Sequence, residues 1–107
     1  MTDPAGPADR TEPASGAQDS LVRDFKIINK RGLHARASAK IVEAAARFQS
    51  EIHILKDGTA VNGRSIMGLM MLAASIGSTV MITTDGPDQD AAMKAILALF
   101  EAKFGEE

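Results

Sequence analysis

No cysteine occurs among the 107 residues. That excludes disulfides, thiolate metal sites and cysteine nucleophiles together. Tryptophan and tyrosine are also missing, so aromatic platforms for stacking single-stranded bases are not expected. Histidine is scarce: His34 and His53 are the only two, and any imidazole chemistry has little choice of residue. Excess charge of one sign is missing as well. A formal net charge of -2 argues against a dedicated nucleic-acid binder or a basic membrane-surface protein. No apolar run approaches the roughly 20 residues that a membrane-spanning helix needs. Neither an internal repeat nor a P-loop, GxGxxG, HExxH or EF-hand pattern is present.

What is present is ordinary globular material. The chain is 45% apolar and 24% charged, enough for one folding domain. The first twenty residues differ from the rest. They hold Pro4, Pro7 and Pro13, four acids against Arg10, and no Leu, Ile, Val or Phe. Such a segment buries too little apolar surface to offset its ordering entropy, so residues 1–20 are expected to be a disordered tail. It lacks the basic start and apolar stretch of a secretory signal, and a cytoplasmic protein is expected. The domain is expected over 21–107.

From Leu21 the hydropathy becomes periodic. Leu21–Asn29 reads as a strand with Phe25 and Ile27 on one face, and Lys30-Arg31-Gly32 as a turn. Ala35–Phe48 reads as a helix with Ile41, Ala44, Ala45 and Phe48 on one side and Arg36, Lys40, Glu43 and Arg47 on the other. Glu51–Lys56 alternates as a strand, Asp57-Gly58 is a hairpin signal, and Thr59–Asn62 returns. Ser65–Leu72 reads as a short helix capped by Ser65 and weakened by Gly68. Thr79–Thr84 is a β-branched strand, and Asp88–Phe104 a helix striped by Met93, Ile96, Leu97, Phe100 and Phe104. Asp88 and Asp90 stand at its start, Lys103 near its end and Gly105 just past it, where capping and dipole rules prefer them. The order β-α-β-β-α-β-α with one-sided helices predicts an α+β fold, a single sheet covered on one face.

The segment Gly32-Leu33-His34-Ala35-Arg36 falls between the first strand and the first helix. A helix start offers unpaired N–H groups and partial positive charge, a ready place for an anion. That field also opposes a second proton on an imidazole placed there, favouring the neutral, nucleophilic ring. Arg36 adds a cation for an anion carried on His34, and Gly32 permits a tight turn before it. The set suits an imidazole that accepts a phosphoryl group. A plain helix N-cap at His34, followed by an exposed Arg, is the competing reading.

GLHAR before a helix, then a strand hairpin, then NGRSIMGLMML, resembles the HPr family of phosphocarrier proteins of the phosphotransferase system. The resemblance spans Leu21 to Glu107. It implies an HPr-like open-faced β-sandwich, a four-stranded antiparallel sheet with three helices on one face. It implies phosphorylation of His34 by Enzyme I, with phosphoenolpyruvate as ultimate donor, and onward transfer to an Enzyme IIA. Arg36 is implied as a partner of the phosphoryl group. The protein would then be a carrier without a cofactor or metal, and a monomer. Many members have proline after the active-loop arginine; here Ala37 stands there, and alanine also favours a helix. The closing LFEAKFGEE is similar to the nitrogen-related branch, so sugar uptake and nitrogen or carbon regulation both stand.

Ser65 has two readings. It is a helix N-cap, and SIMG resembles the regulatory serine site of HPr kinase/phosphorylase, a further partner in lineages that carry that enzyme. Ile66, Met67, Met70 and Met71 follow it. A short helix has one core face, so about two of these four are expected at the surface, and the family's docking face for Enzyme I and Enzyme IIA matches Ile66, Met67 and Met70. His53 reads as a solvent-facing strand residue. The Arg36, Lys40, Arg47 run reads as a solvated face that attracts acidic partners. The alternative class is an α+β ligand-binding or acyl-phosphate hydrolase-like domain. It needs a pocket with several convergent polar groups, and only the His34–Arg36 pair is on offer. A homologue that has lost transfer would not need to keep His34.

Overall fold

The computed structural model describes residues 19–106. All but Asp19 and Ser20 of the expected tail lie outside the described residues. The elements follow as β1 (Leu21–Lys26), α1 (Ala35–Ala45), β2 (Glu51–Lys56), β3 (Thr59–Asn62), α2 (Ile66–Met71), β4 (Thr79–Asp85) and α3 (Gln89–Glu101), closed by a 3₁₀ turn at Lys103–Gly105. The expected order and type of every element are found.

Alternation along the strands decides which face is covered. Ile52 and Ile54 of β2 are buried, as are Val80, Ile82 and Thr84 of β4, because odd and even residues of a strand point to opposite faces. The four strands form one antiparallel sheet in the order β1-β4-β2-β3. Ile54 stands opposite Ile82 on one side and Val61 on the other, so the apolar row continues across strands. The three helices meet this row. Ala37, Ile41, Ala44 and Ala45 of α1, Leu69 of α2, and Ala92, Met93, Ile96 and Phe100 of α3 are all buried in one cluster with it. The small side chains of α1 allow the close approach. His53 lies on the opposite, uncovered face, half-buried between Thr83 and Asn62.

Several element ends differ from the sequence expectation; α2 covers Ile66–Met71 within the expected Ser65–Leu72, α3 begins at Gln89 after Asp88, and four further ends differ as follows. β1 stops at Lys26 rather than Asn29. Ile27 exchanges bonds with Ser78 and Gly77 instead, and Asn29 turns inward. α1 stops at Ala45 rather than Phe48. The amides of Arg47 and Phe48 bond three residues back, to Ala44 and Ala45, the tightening by which helix ends satisfy their carbonyls. α3 stops at Glu101 rather than Phe104, because Lys103 and Phe104 both take positive φ, 57° and 55°. Left-handed backbone costs roughly 1–2 kcal/mol per such residue. It is offset by burying Phe104 edge-on to Phe100, ring centroids 5.0 Å apart. β4 gains Asp85 beyond Thr84.

Asp88 is the N-cap of α3 but does not cap it with its side chain. Its carboxylate accepts from the Ser50 hydroxyl at 2.6 Å and from the amides of Ser50 at 2.9 Å and Gln49 at 3.0 Å. The bond from the Ser50 hydroxyl and the Gln49 amide hold the Asp88 carboxyl below its ordinary range, with burial opposing. This contact staples the start of α3 to the turn before β2. The stapling is strongest while Asp88 is ionised. A depressed carboxyl adds stability above its unfolded range and loses it as pH falls through the folded value. The stability gap between wild type and Asp88→Asn should therefore be full at neutral pH and close in acid, as denaturant melts across pH will read.

α2 is held by little. Leu69 is its one buried residue, at 0% exposure, while Met71 is 78% exposed. Leu69→Ala should cost about 2–5 kcal/mol in denaturant unfolding. Met71→Ala should change stability by no more than about 0.5 kcal/mol.

Candidate functional site

The loop between β1 and α1 is built from backbone outward. Gly32 adopts φ +62°, and a Cβ there would fall 2.2 Å from the Ala74 carbonyl oxygen, so only glycine fits the position. Leu33 is buried, and its amide donates to the same Ala74 oxygen at 3.0 Å. These contacts tie the segment after α2 to the residue that precedes His34.

His34 is the N-cap of α1 by backbone: its φ/ψ are extended and its carbonyl accepts from the Ser38 amide at 2.9 Å. Its side chain makes no capping bond. The N-cap position expected of His34 is thus real, but the imidazole is free for another use. The amides of Ala35, Arg36 and Ala37 precede the first intrahelical bond, the group of donors that gives a helix start its affinity for anions. Arg36 is exposed in this first turn. Among the described residues its side chain takes no hydrogen bond or ion pair. Ala37, where proline is common, is buried within α1, and the helix forms around it.

A carboxylate reaches the imidazole from the other end of the described chain. Glu106 Oε2 lies 2.8 Å from His34 Nε2, and their side chains are 16% and 20% exposed. The same oxygen accepts from Asn29 Nδ2 at 2.7 Å, and Oε1 from the Arg31 amide at 3.3 Å. Burial pushes the Glu106 carboxyl up, but the bonds from Asn29, Arg31 and His34 with the imidazole's charge outweigh it and hold the carboxyl below its ordinary range. Asn29 is 1% exposed, and its amide also donates to the Gly32 carbonyl at 2.9 Å. Neither Asn29 nor Glu106 stands out in the sequence as a site residue. Asn29 reads as the end of a strand, and Glu106 lies 72 residues from His34 in a segment with no motif.

Ser65 caps α2 as expected: its Oγ accepts from the Gly68 amide at 3.0 Å. Ile66, Met67, Met70 and Met71 are all exposed, with Met67 at 70%. The expectation of about two surface residues was too low. The helix has only six residues, and Leu69 alone turns inward. Ile76, in the loop beyond, is exposed too, so this apolar surface continues toward the segment tied to Leu33. Lys40 departs from the solvated face assigned to it. Half-buried, it donates to the Phe104 carbonyl at 2.9 Å. Among the described residues no group of three or more His, Cys, Asp or Glu is placed to hold a metal, and no helix is long and apolar enough to cross a membrane.

Comparison with known proteins agrees with this geometry. The family model described as the phosphorylation site of the PTS HPr component matches residues 21–102. The phosphocarrier protein HPr of Cupriavidus necator is 57% identical over 86 residues, covering 80% of this chain and 97% of that protein. The phosphocarrier protein NPr of Shewanella violacea is 43% identical, covering 80% and 94%. The crystal structure of HPr-C-His from Thermoanaerobacter tengcongensis superposes with a TM-score of 0.78 at 45% identity, covering 81% of this chain and 98% of that one. An imidazole freed from capping at a helix start, on a four-stranded open sheet with three helices, thus coincides with a family-wide match, and the chain belongs to the HPr family of phosphocarrier proteins of the phosphotransferase system.

Proposed function

We propose that His34 accepts a phosphoryl group from phosphorylated Enzyme I and passes it to an Enzyme IIA. The observation that carries this reading is the state of the imidazole. It stands at the start of α1 without capping it, and Nε2 is engaged by Glu106. Among the described residues Nδ1 takes no hydrogen bond. An ionised carboxylate only accepts hydrogen bonds, so in the neutral ring Nε2 keeps the hydrogen and Nδ1 holds the lone pair. In the transfer the Nδ1 lone pair attacks phosphorus. The Nδ1–P bond forms as the bond from phosphorus to the donor atom of Enzyme I breaks, and that atom keeps the electron pair. Nε2 retains its hydrogen throughout, so the phosphorylated ring carries positive charge beside Glu106. The reverse of this step delivers the phosphoryl group to the next acceptor.

Arg36 and the first amides of α1 supply the charge stabilisation. Fixed donors aimed at a transferring phosphoryl group act most strongly where charge develops, and charge-assisted bonds are the stronger ones. The chain needs no cofactor for this, and it acts as a carrier rather than an enzyme. Ile66, Met67 and Met70 form the docking surface for Enzyme I and Enzyme IIA; exposed methionine is adaptable enough to pack against more than one partner. The alternative, an α+β ligand-binding or acyl-phosphate hydrolase-like domain, is not favoured. Identity is higher to HPr of Cupriavidus necator than to NPr of Shewanella violacea, which supports the HPr branch over the nitrogen-related one. A cytoplasmic location is consistent with the family.

Ser65 is read as a regulatory phosphorylation site for an HPr kinase/phosphorylase. Its Oγ accepts from Gly68, a bond that a phosphate oxygen or a carboxylate can also make. Added charge at that place borders Ile66, Met67 and Met70, and a partner would have to desolvate it.

Two experiments test this function. Incubation with Enzyme I and phosphoenolpyruvate, read by intact mass, should add one acid-labile phosphate to wild type and none to His34→Ala, whose melting should match wild type. Single-turnover transfer to Arg36→Ala should be slower by about tenfold or more; an unchanged rate removes Arg36 from the step. Separately, Ser65→Asp should weaken Enzyme I binding at low salt, and the gap should narrow as salt rises, because screening shortens the reach of the new charge. Equal affinity at low salt leaves Ser65 as a cap alone.

A further inference from the structure

We propose that the uncovered face of the sheet is a second docking surface, fitted to a basic amphipathic helix of a partner protein and separate from the apolar surface of α2. The proposal does not depend on phosphate at His34.

The face is built by the same alternation that builds the core. Every second strand residue points away from the helices, and an antiparallel sheet with one face in water is ordinarily polar there. Here the cross-strand row Asp24, Met81, Leu55, Ala60 runs over all four strands, and beyond Asp24 the row is apolar. Val22 stands diagonal to Met81, a spacing that long side chains span. Val22 is 45% and Met81 39% exposed, and Leu55 is half-buried. Beside Leu55 and Met81 a cleft of about 290 Å³ opens, with Asp24 and Thr79 in its wall.

Charge on the face selects the occupant. Glu51 stands directly opposite Asp85, two outward pairs along from Leu55 and Met81, and both acids are exposed. Like charges directly opposite on a ladder are destabilising. Among the described residues the carboxylates of Asp24, Glu51 and Asp85 take no hydrogen bond or ion pair. Lys26 is the one lysine or arginine among the outward-pointing strand residues, so the face is acidic. A second copy laid face to face would set carboxylates against carboxylates. A helix whose apolar stripe is bordered by Lys or Arg meets both needs. The other face of this sheet already takes helices over Ile54 and Ile82, so its twist accepts one. Lys and Arg stems cover apolar surface while their heads stay at the rim, where Asp24 and the Glu51–Asp85 pair stand. The surface beside His34 has the opposite sign, with Lys30, Arg31 and Arg36 exposed. Complementary charge thus sorts partners between the two surfaces.

The probe is a synthetic leucine–lysine peptide of about 18 residues, roughly five helical turns, with all its leucines on one face. Titrated into the ¹⁵N-labelled full chain, it should shift the amides of Val22, Asp24, His53, Leu55 and Met81 saturably and leave α2 and the His34 loop unmoved. Its Kd should rise about fivefold or more from low to high salt. A leucine–glutamate counterpart should not bind. Met81→Lys should weaken binding about tenfold, by placing an unpaired cation in the contact. Glu51→Lys sets opposite charges across the ladder, so it should melt no lower than wild type and still bind about fivefold more weakly. Absence of saturable binding, shifts centred on α2, equal binding of the leucine–glutamate peptide, or wild-type affinity in Glu51→Lys overturns the proposal. Shifts on this face that grow with protein concentration alone, before peptide is added, identify a second copy as the occupant and overturn it too.

Discussion

One apolar layer, a single side chain deep, holds this molecule together. Ile52, Ile54, Val80 and Ile82 on one face of the sheet meet Ile41, Leu69, Ile96 and Phe100 from the three helices. Burial of that layer is the main favourable term available to a chain without disulfides. Because the layer is one-sided, helix ends and connecting loops are left at its rim. The loop from Ile27 to His34 lies at that rim, pinned by buried Leu33 and by the close pass of Gly32 over the Ala74 carbonyl. His34 is thus held by backbone contacts while its side chain stays partly exposed.

Local strain and electrostatics then concentrate at the same rim. A helix start, an exposed arginine in its first turn, and a carboxylate on the far ring nitrogen surround one imidazole. In the proposed transfer the positive groups favour an incoming phosphoryl group, and the carboxylate favours the charged ring that would result. Under that proposal, opposite charges on two sides of the ring would let the carrier both take up and release its load, since neither state is stabilised by all of its surroundings. Two successive left-handed residues, tolerated because Phe104 is buried, deliver the carboxylate.

α2 illustrates a different compromise. A helix of six residues is too short to be stable alone, and Leu69 is its sole buried anchor. Its capping serine is the one side chain that ties off its start. Four large apolar residues remain in water around it, which lowers solubility but supplies adaptable surface. Under the proposed function, charge added at Ser65 would act on docking without reaching the core.

The sequence carried most of the fold, because alternation and helical periodicity are local signals of burial. Ile52 and Ile54 at spacing two, and Met93, Ile96 and Phe100 at spacings of three and four, declare which face is covered before any partner is known. The places of His34 and Arg36 at the start of α1 were legible for the same reason: a helix start is a local signal. Other features were decided by tertiary structure alone. Helix ends shifted where carbonyls found closer partners, and α3 was cut short because burying Phe104 outweighed continuing its turn. Asp88 left its own helix to bind Ser50. Lys40 left the solvated face for the Phe104 carbonyl. Above all, Asn29 and Glu106 met His34 across 77 and 72 residues of chain measured to Glu106. No periodicity records such a meeting, because its energy comes from groups that are neighbours only after the apolar layer has closed.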